Sequence, residues 1–152
     1  MQKKSFSKNI TQNRKARHDY AVLEEIEAGI ELLGTEVKSC RAGGMSLSDS
    51  YARVIDGELF LIGANIAPYE QGNRNNHLPR RDRRLLLHKR QIARLKRSTE
   101  AKGLTLIPLS VYFNERGRIK VSLALCRGKN VHDKRESLKE RDDKKEMARA
   151  LR

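Results

Sequence analysis

Tyr51-Ala52-Arg53-Val54-Ile55-Asp56-Gly57-Glu58-Leu59-Phe60-Leu61-Ile62 reads as two short strands around a tight turn. Asp-Gly between two such runs is the strongest short-range hairpin signal, because both central turn positions need positive φ and glycine has no Cβ to oppose it. The antiparallel pair this predicts sets the frame for the rest of the chain.

Downstream, Leu104 to Phe113 predicts a strand whose inward parity changes near Pro108, with Leu104 and Leu106 even and Leu109, Val111 and Phe113 odd. A bulge or an edge position accommodates a proline there. The turn Asn114 to Gly117 leads into Ile119, Val121, Leu123 and Leu125, which alternate with Arg118, Lys120, Ser122 and Ala124. That closes a second hairpin with a basic outer side. Upstream, Val22, Ile26, Ala28, Ile30 and Leu32 keep even parity from Tyr20, so Glu25, Glu27 and Glu31 face outward from a strand or bent strand pair. Thr35 is placed to cap a short helix ending near Arg41, before Gly43-Gly44. Glu70 to Pro79 reads as a long exposed connection, and a basic amphipathic helix is expected from about Arg83 to Lys102, with Leu85, Ile92 and Leu95 on one side and Arg90, Arg94 and Arg97 on another.

Short strands, one intervening helix and a final hairpin imply a mainly β fold with short helices. A closed antiparallel barrel of the oligonucleotide-binding type removes exposed edges, and an open α+β sheet is its rival. The expected organisation is a basic N-terminal arm over residues 1–17, a barrel over 18–128 and a basic C-terminal tail over 129–152. The arm has few large apolar groups to offset the entropy of ordering it, so it is expected to move until a partner holds it. The tail, with sixteen charged residues among the twenty-six from Arg127 to Arg152, is expected to be disordered when free. Ser137 and Glu140 at capping-box spacing, and Glu140 with Lys144 four apart, prepare it to become helical when bound.

Charge is sorted along the chain. Of a net +14, six Lys/Arg and no acid lie in Met1 to His18, and ten lie in Arg74 to Arg97 against Asp82 alone. Asp19 to Asn73 instead has ten acids against Lys38, Arg41 and Arg53. Basic charge gathered in a few places suits a polyanion, RNA or DNA first. No run of about 18 apolar residues is present to span a bilayer and the N-terminal stretch lacks a signal-peptide core, so a cytoplasmic location with no membrane partner is expected. Cys40 and Cys126 are too few for a disulfide framework.

Catalytic constellations are sparse. His18, His77, His88 and His132 form no pair at metal-ligand spacing, and there is no phosphate-cradling glycine loop. Glu24, Glu25, Glu27, Glu31 and Glu36 offer one enzymatic alternative, a metal-dependent ribonuclease. The expectation is no enzyme activity, no metal and no cofactor.

Ordered blocks then carry a resemblance. Asn13-Arg14-Lys15-Ala16-Arg17-His18-Asp19-Tyr20, Gly34-Thr35-Glu36-Val37-Lys38-Ser39, Asp49-Ser50-Tyr51, Ile66 to Asn73, Arg83-Arg84-Leu85-Leu86-Leu87-His88-Lys89 and His132-Asp133-Lys134-Arg135 together resemble the bacterial SsrA-binding protein family, small protein B, over nearly the whole chain after Ile10. The resemblance implies a non-enzymatic barrel that binds the tRNA-like domain of transfer-messenger RNA (tmRNA). It implies delivery of the alanyl-charged RNA, with GTP-bound elongation factor Tu, to the small subunit and ribosomal RNA of stalled ribosomes for trans-translation. By resemblance His18, Glu27, Lys38, Arg41, Leu87 and Lys120 face tmRNA. His132, Asp133, Lys134 and Arg135 would face the decoding centre, with Lys139, Arg141, Lys144 and Lys145 in the empty messenger channel. For Leu87, core packing is an equal alternative. A general ribosomal or translation-factor RNA-binding barrel without tmRNA preference remains the competing function.

Overall fold

The computed structural model describes residues 8–129. It is mainly β with three short helices: β1 (Lys8–Gln12), α1 (Arg14–Asp19), β2 (Tyr20–Ile30), α2 (Gly34–Arg41), β3 (Met45–Ser46), β4 (Tyr51–Ile55), β5 (Glu58–Ile62), β6 (Asn65–Ile66), β7 (Arg83–Leu86), α3 (Lys89–Lys102), β8 (Thr105–Phe113) and β9 (Ile119–Gly128). Seven strands pair antiparallel in the order β1-β8-β4-β5-β7-β2-β9, and β9 pairs again with β8. Strands β3 and β6 form a separate small ladder.

The hairpin forms as its sequence requires. Asp56 and Gly57 have φ of 51° and 78°, and Ile55 pairs with Glu58. Leu59, Leu61 and Ala52 enter the core, as period-2 alternation dictates. The β8 ladder to β9 shifts register between Pro108 and Ser110, a bulge at the expected proline. Strand β2 is one continuous element with a shift between Val22 and Glu24, and it carries Ile26 and Ala28 inward and Glu25 and Glu27 outward. Together with Leu85, Leu106, Val111, Val121, Leu123 and the α3 residues Ile92 and Leu95 they make one core cluster. Each fully buried leucine there contributes about 1.5–3 kcal/mol by leaving water.

Four expectations are corrected. The segment from Arg83 is a strand before it is a helix: Arg83 and Leu85 point inward, Arg84 and Leu86 outward, and helix α3 begins only at Lys89, after its N-cap His88. Pairing with both β5 and β2 overrides the helix propensity of the leucine run. The N-terminal arm, as far as it is described, is ordered. Strand β1 adds to the β8 edge through backbone hydrogen bonds, which need no apolar side chains, and Asn13 fixes the next turn by donating its N–H to Leu109 O at 2.7 Å and its side-chain amide to Pro108 O at 3.0 Å. Ala16 of α1 then covers a second small core of Ile107, Leu109, Ala124 and Cys126, so part of the supposed outer side of β9 is buried. Third, the N-cap of α2 is Leu33, not Thr35; Glu36 accepts the Leu33 N–H at 2.8 Å, and the Thr35 hydroxyl bonds to His77 Nδ1 instead. Fourth, the 70–79 connection is tied down. It contains a 3-10 turn, Glu70–Asn75; the Asn76 amide clamps the Tyr69 backbone at both ends, and buried His77 also reaches Ile66 O at 2.9 Å.

Among the described residues no helix is long and apolar enough to cross a membrane. The tail residues singled out in the sequence, His132, Asp133, Lys134, Arg135, Lys139, Arg141, Lys144 and Lys145, lie outside the described residues.

Candidate nucleic-acid interface

The register of four strands assembles one surface. Tyr112 on β8 lies opposite Lys120 on β9, Lys120 opposite Gly29 on β2, and Gly29 opposite Leu86 on β7, all on the outward side of the sheet. With strands about 4.8 Å apart, this row is about 14 Å long. Gly29 leaves the middle low, and Leu86 leans over it: a Cβ at position 29 would lie 3.2 Å from the Leu86 Cβ. One step along the strands, Glu27 sits opposite Ser122. The Tyr112 hydroxyl reaches across β9 and donates to Glu27 Oε2. Burial, and then the negative carboxylate that accepts its proton, push the Tyr112 phenol well above the ordinary tyrosine range. Glu27 is thereby held on the outward face that also carries Lys120.

Of the six residues expected to face RNA, Glu27 and Lys120 thus share a wall. Leu87 does not join them. It is half-buried against the main core, and the outward leucine is its neighbour Leu86, 43% exposed. His18 is exposed at the end of α1, with Nδ1 3.1 Å from Asp19 Oδ1. Lys38 and Arg41 are exposed on α2, and the Lys38 Nζ lies 5.4 Å from the Tyr69 ring centroid, a cation–π contact that steadies its flexible stem. Beside the wall, an open cleft of about 910 Å³ runs between α1 and the β8–β9 turn, lined by Arg14, Arg17, Glu25, Asn114 and Arg116 among others.

Sequence reasoning missed the network beneath α2. Glu36 and Arg83 are both fully buried, with Arg83 Nε 2.5 Å from Glu36 Oε2. Arg83 also donates to Ala64 O and Pro79 O, and Arg81 adds bonds to both Glu36 oxygens. Burial opposes the Glu36 charge, but the bonds from Arg81, the Leu33 N–H and Arg83 outweigh it and hold the carboxyl below its ordinary value. This network fastens α2, and so Lys38 and Arg41, to the loop ahead of β7. A buried arginine breaks the polar-outside pattern on which periodicity depends, and the only sequence signal was an arginine at inward parity before Leu85.

The five glutamates proposed for a metal are dispersed, each beside its own partner: Glu24 with Arg94, Glu25 with Arg17, Glu27 with Tyr112, Glu31 with Arg84, and Glu36 with Arg81 and Arg83. Among the described residues no three His, Cys, Asp or Glu side chains converge as a metal site. The ribonuclease alternative therefore lacks its centre in this part of the chain.

Residues 10–152 match the profile of the SmpB protein family. The chain belongs to the SmpB family. Among SmpB-family relatives, the SsrA-binding protein of Moorella thermoacetica is 61% identical over 145 residues, 95% of this chain and 94% of the relative. That of Symbiobacterium thermophilum is 56% identical over 143 residues, 94% and 90% of the respective chains. A solved SmpB structure described as "tmRNA-SmpB: a journey to the center of the bacterial ribosome" superposes with a TM-score of 0.65 at 59% identity, covering 78% of this chain and 83% of that one.

Proposed function

We propose that this chain binds the tRNA-like domain of tmRNA and delivers it to stalled ribosomes for trans-translation, acting as an RNA-binding adaptor and not as an enzyme. The observation that carries the reading is the outward wall on which Glu27, Lys120, Gly29 and Leu86 meet, in a chain at least half identical to SsrA-binding proteins. Such a wall offers an RNA minor groove or an unpaired nucleotide three kinds of contact: a cation for phosphate, an anion for an exocyclic amine or 2′-hydroxyl, and an apolar shelf for a ribose or base. His18, Lys38 and Arg41 extend the same contact set.

The wall is part of a closed barrel in this reading. Pairing of β8 with both β4 and β9 supports closure, because it joins the two sides of the strand order. The basic tail from residue 129 enters the messenger channel of the small subunit, with His132 to Arg135 at the decoding centre and Lys139, Arg141, Lys144 and Lys145 against channel phosphates. A message already in the channel excludes it, which gives selectivity for stalled ribosomes by competition. The alanyl-charged RNA arrives with GTP-bound elongation factor Tu, in the cytoplasm.

The test is equilibrium affinity for the isolated tRNA-like domain at physiological salt with elongator tRNA as competitor. Phosphate attraction alone gives weak binding with no preference, whereas the proposed wall gives strong preference for the tRNA-like domain. Equal competition by tRNA overturns the reading in favour of a general RNA-binding barrel.

A further inference from the structure

Helix α3 carries a second, separate cationic face. Its apolar side, Ile92 and Leu95, enters the core, and Arg94 is engaged by Glu24 through two bonds of 2.8 Å. Of the remaining cations, Lys102 stands in the last turn, and Lys89, Arg90, Lys96 and Arg97 are exposed around Ala93. At 100° per residue these four occupy an arc of about 120° centred on Ala93, which begins about 40° from Ile92 and runs away from the buried side, as two pairs about 10.5 Å apart along the axis. Among the described residues none of the four is in an ion pair. The one acid on that arc, Glu100, stands a turn beyond Lys96.

This arrangement works against the helix that bears it. Lys89 and Arg90 occupy the first turn, which holds no acid, so they face the positive end of the helix dipole. The capping position that commonly carries glutamate is Gln91, which accepts the His88 N–H at 3.2 Å without adding negative charge. Neighbouring like charges on the arc add repulsion. A fold that merely needed a solvated surface gains nothing from this placement, whereas a bound polyanion relieves all of it at once. The small Ala93 at the centre leaves the backbone of a duplex free to approach.

We propose that the exposed face of α3 is a second RNA-binding surface, taking the phosphate backbone of a ribosomal RNA helix while the β2–β9 wall holds the tRNA-like domain. This rests on the adaptor reading for the identity of the two RNAs. Because α3 packs Ile92 and Leu95 into the core, the face centred on Ala93 is left free, and the outward wall residues Gly29, Lys120 and Tyr112 lie on other elements.

The experiment compares the full chain with a variant in which Lys89, Arg90, Lys96 and Arg97 are all changed to Gln, leaving Arg94 and its partner intact. Binding to isolated small ribosomal subunits and to the isolated tRNA-like domain is measured across a salt series. The expected result is at least a tenfold loss of subunit affinity, with the slope of log K against log salt reduced by about 3, a tRNA-like-domain affinity within twofold of the parent, and an equal or higher melting temperature. Unchanged subunit binding overturns the proposal. Equal losses on both RNAs also overturn it, since they put α3 on tmRNA. The pair Lys96→Gln with Arg97→Gln avoids the capping turn and is expected to give about half the slope change, which keeps the test decisive if the fourfold variant folds poorly. Failure of the adaptor reading shows separately, as equal competition by elongator tRNA against the parent chain.

Discussion

Arg94 on α3 holds Glu24 on β2 through two parallel hydrogen bonds, Nη1 to Oε2 and Nη2 to Oε1, each 2.8 Å. The bond from Arg94 holds the Glu24 carboxyl below its ordinary value, against a smaller opposing effect of burial. Both side chains are about 40% exposed, so solvent screening limits the pair to about 0.5–1 kcal/mol even with fork geometry. Arg94→Lys keeps the charge and loses the fork; a drop of up to that size in unfolding free energy by denaturant titration, shrinking in high salt, is the expected outcome.

Breaking the buried Glu36–Arg83 contact has a much larger effect. Arg83→Met leaves Glu36 fully buried with Arg81 as its one remaining guanidinium partner, and Glu36→Gln leaves two guanidinium groups without their counter-charge. Each is expected to cost about 3–5 kcal/mol, measured by urea unfolding. The pH dependence follows from the depressed Glu36 carboxyl. Its stabilisation is fully present above the unfolded carboxylate pKa and is lost as pH falls through the lower folded value, so the parent loses stability in acid and Glu36→Gln shows a flatter acid limb.

What periodicity could reach, and what it could not, is visible in these two pairs. The β4–β5 hairpin, the alternation of β9 and the Pro108 bulge were legible because their side chains obey a period of 2 and their turns need particular backbones. Strand β1 escaped notice because an edge strand is held by backbone bonds that leave little trace in side-chain pattern. Strand β7 was hidden because Arg83 points inward, where a binary pattern predicts solvent, and because Leu85, Leu86 and Leu87 fit a helix as well as a strand. Glu27 and Lys120 were legible as candidates, but their meeting with Tyr112, Gly29 and Leu86 depends on register between strands distant in sequence.

Tyr112→Phe tests the Glu27 contact. The raised phenol reflects burial and the proton given to Glu27, so the bond stabilises the fold below the unfolded tyrosine pKa and is lost as pH rises through the higher folded value. The substitution removes a step that lies above the ordinary tyrosine range in the alkaline phenolate absorbance titration. It also frees Glu27 to rotate, and a loss of about threefold to tenfold in affinity for the tRNA-like domain is expected from one weakened polar contact.

Burial pushes both the Cys40 and Cys126 thiols up to about 11. At pH 8 the native chain is therefore expected to resist iodoacetamide over hours and to label at both positions in denaturant, as peptide mass spectrometry reads directly. Rapid native labelling of Cys126 would show that α1, which covers it through Ala16, opens readily.

Leu86 and Leu87 allow the proposed binding wall to be tested apart from packing within two adjacent residues. Leu86 points out over Gly29 and loses little on truncation, so Leu86→Ala is expected to stay within about 0.5 kcal/mol of the parent in stability. Removing its shelf from the proposed wall is expected to lower affinity for the tRNA-like domain about fivefold to tenfold, roughly the effect of uncovering one or two methylene groups at an interface. Leu87 is half-buried against the core, and Leu87→Ala is expected to cost about 1–2 kcal/mol in stability with affinity kept within twofold at a temperature where the variant is folded. Isothermal binding and thermal melts on the two variants give the contrast. The reverse pattern, with Leu87→Ala weakening RNA binding and Leu86→Ala leaving it unchanged, would place the RNA contact on the β7–α3 junction instead of the sheet wall.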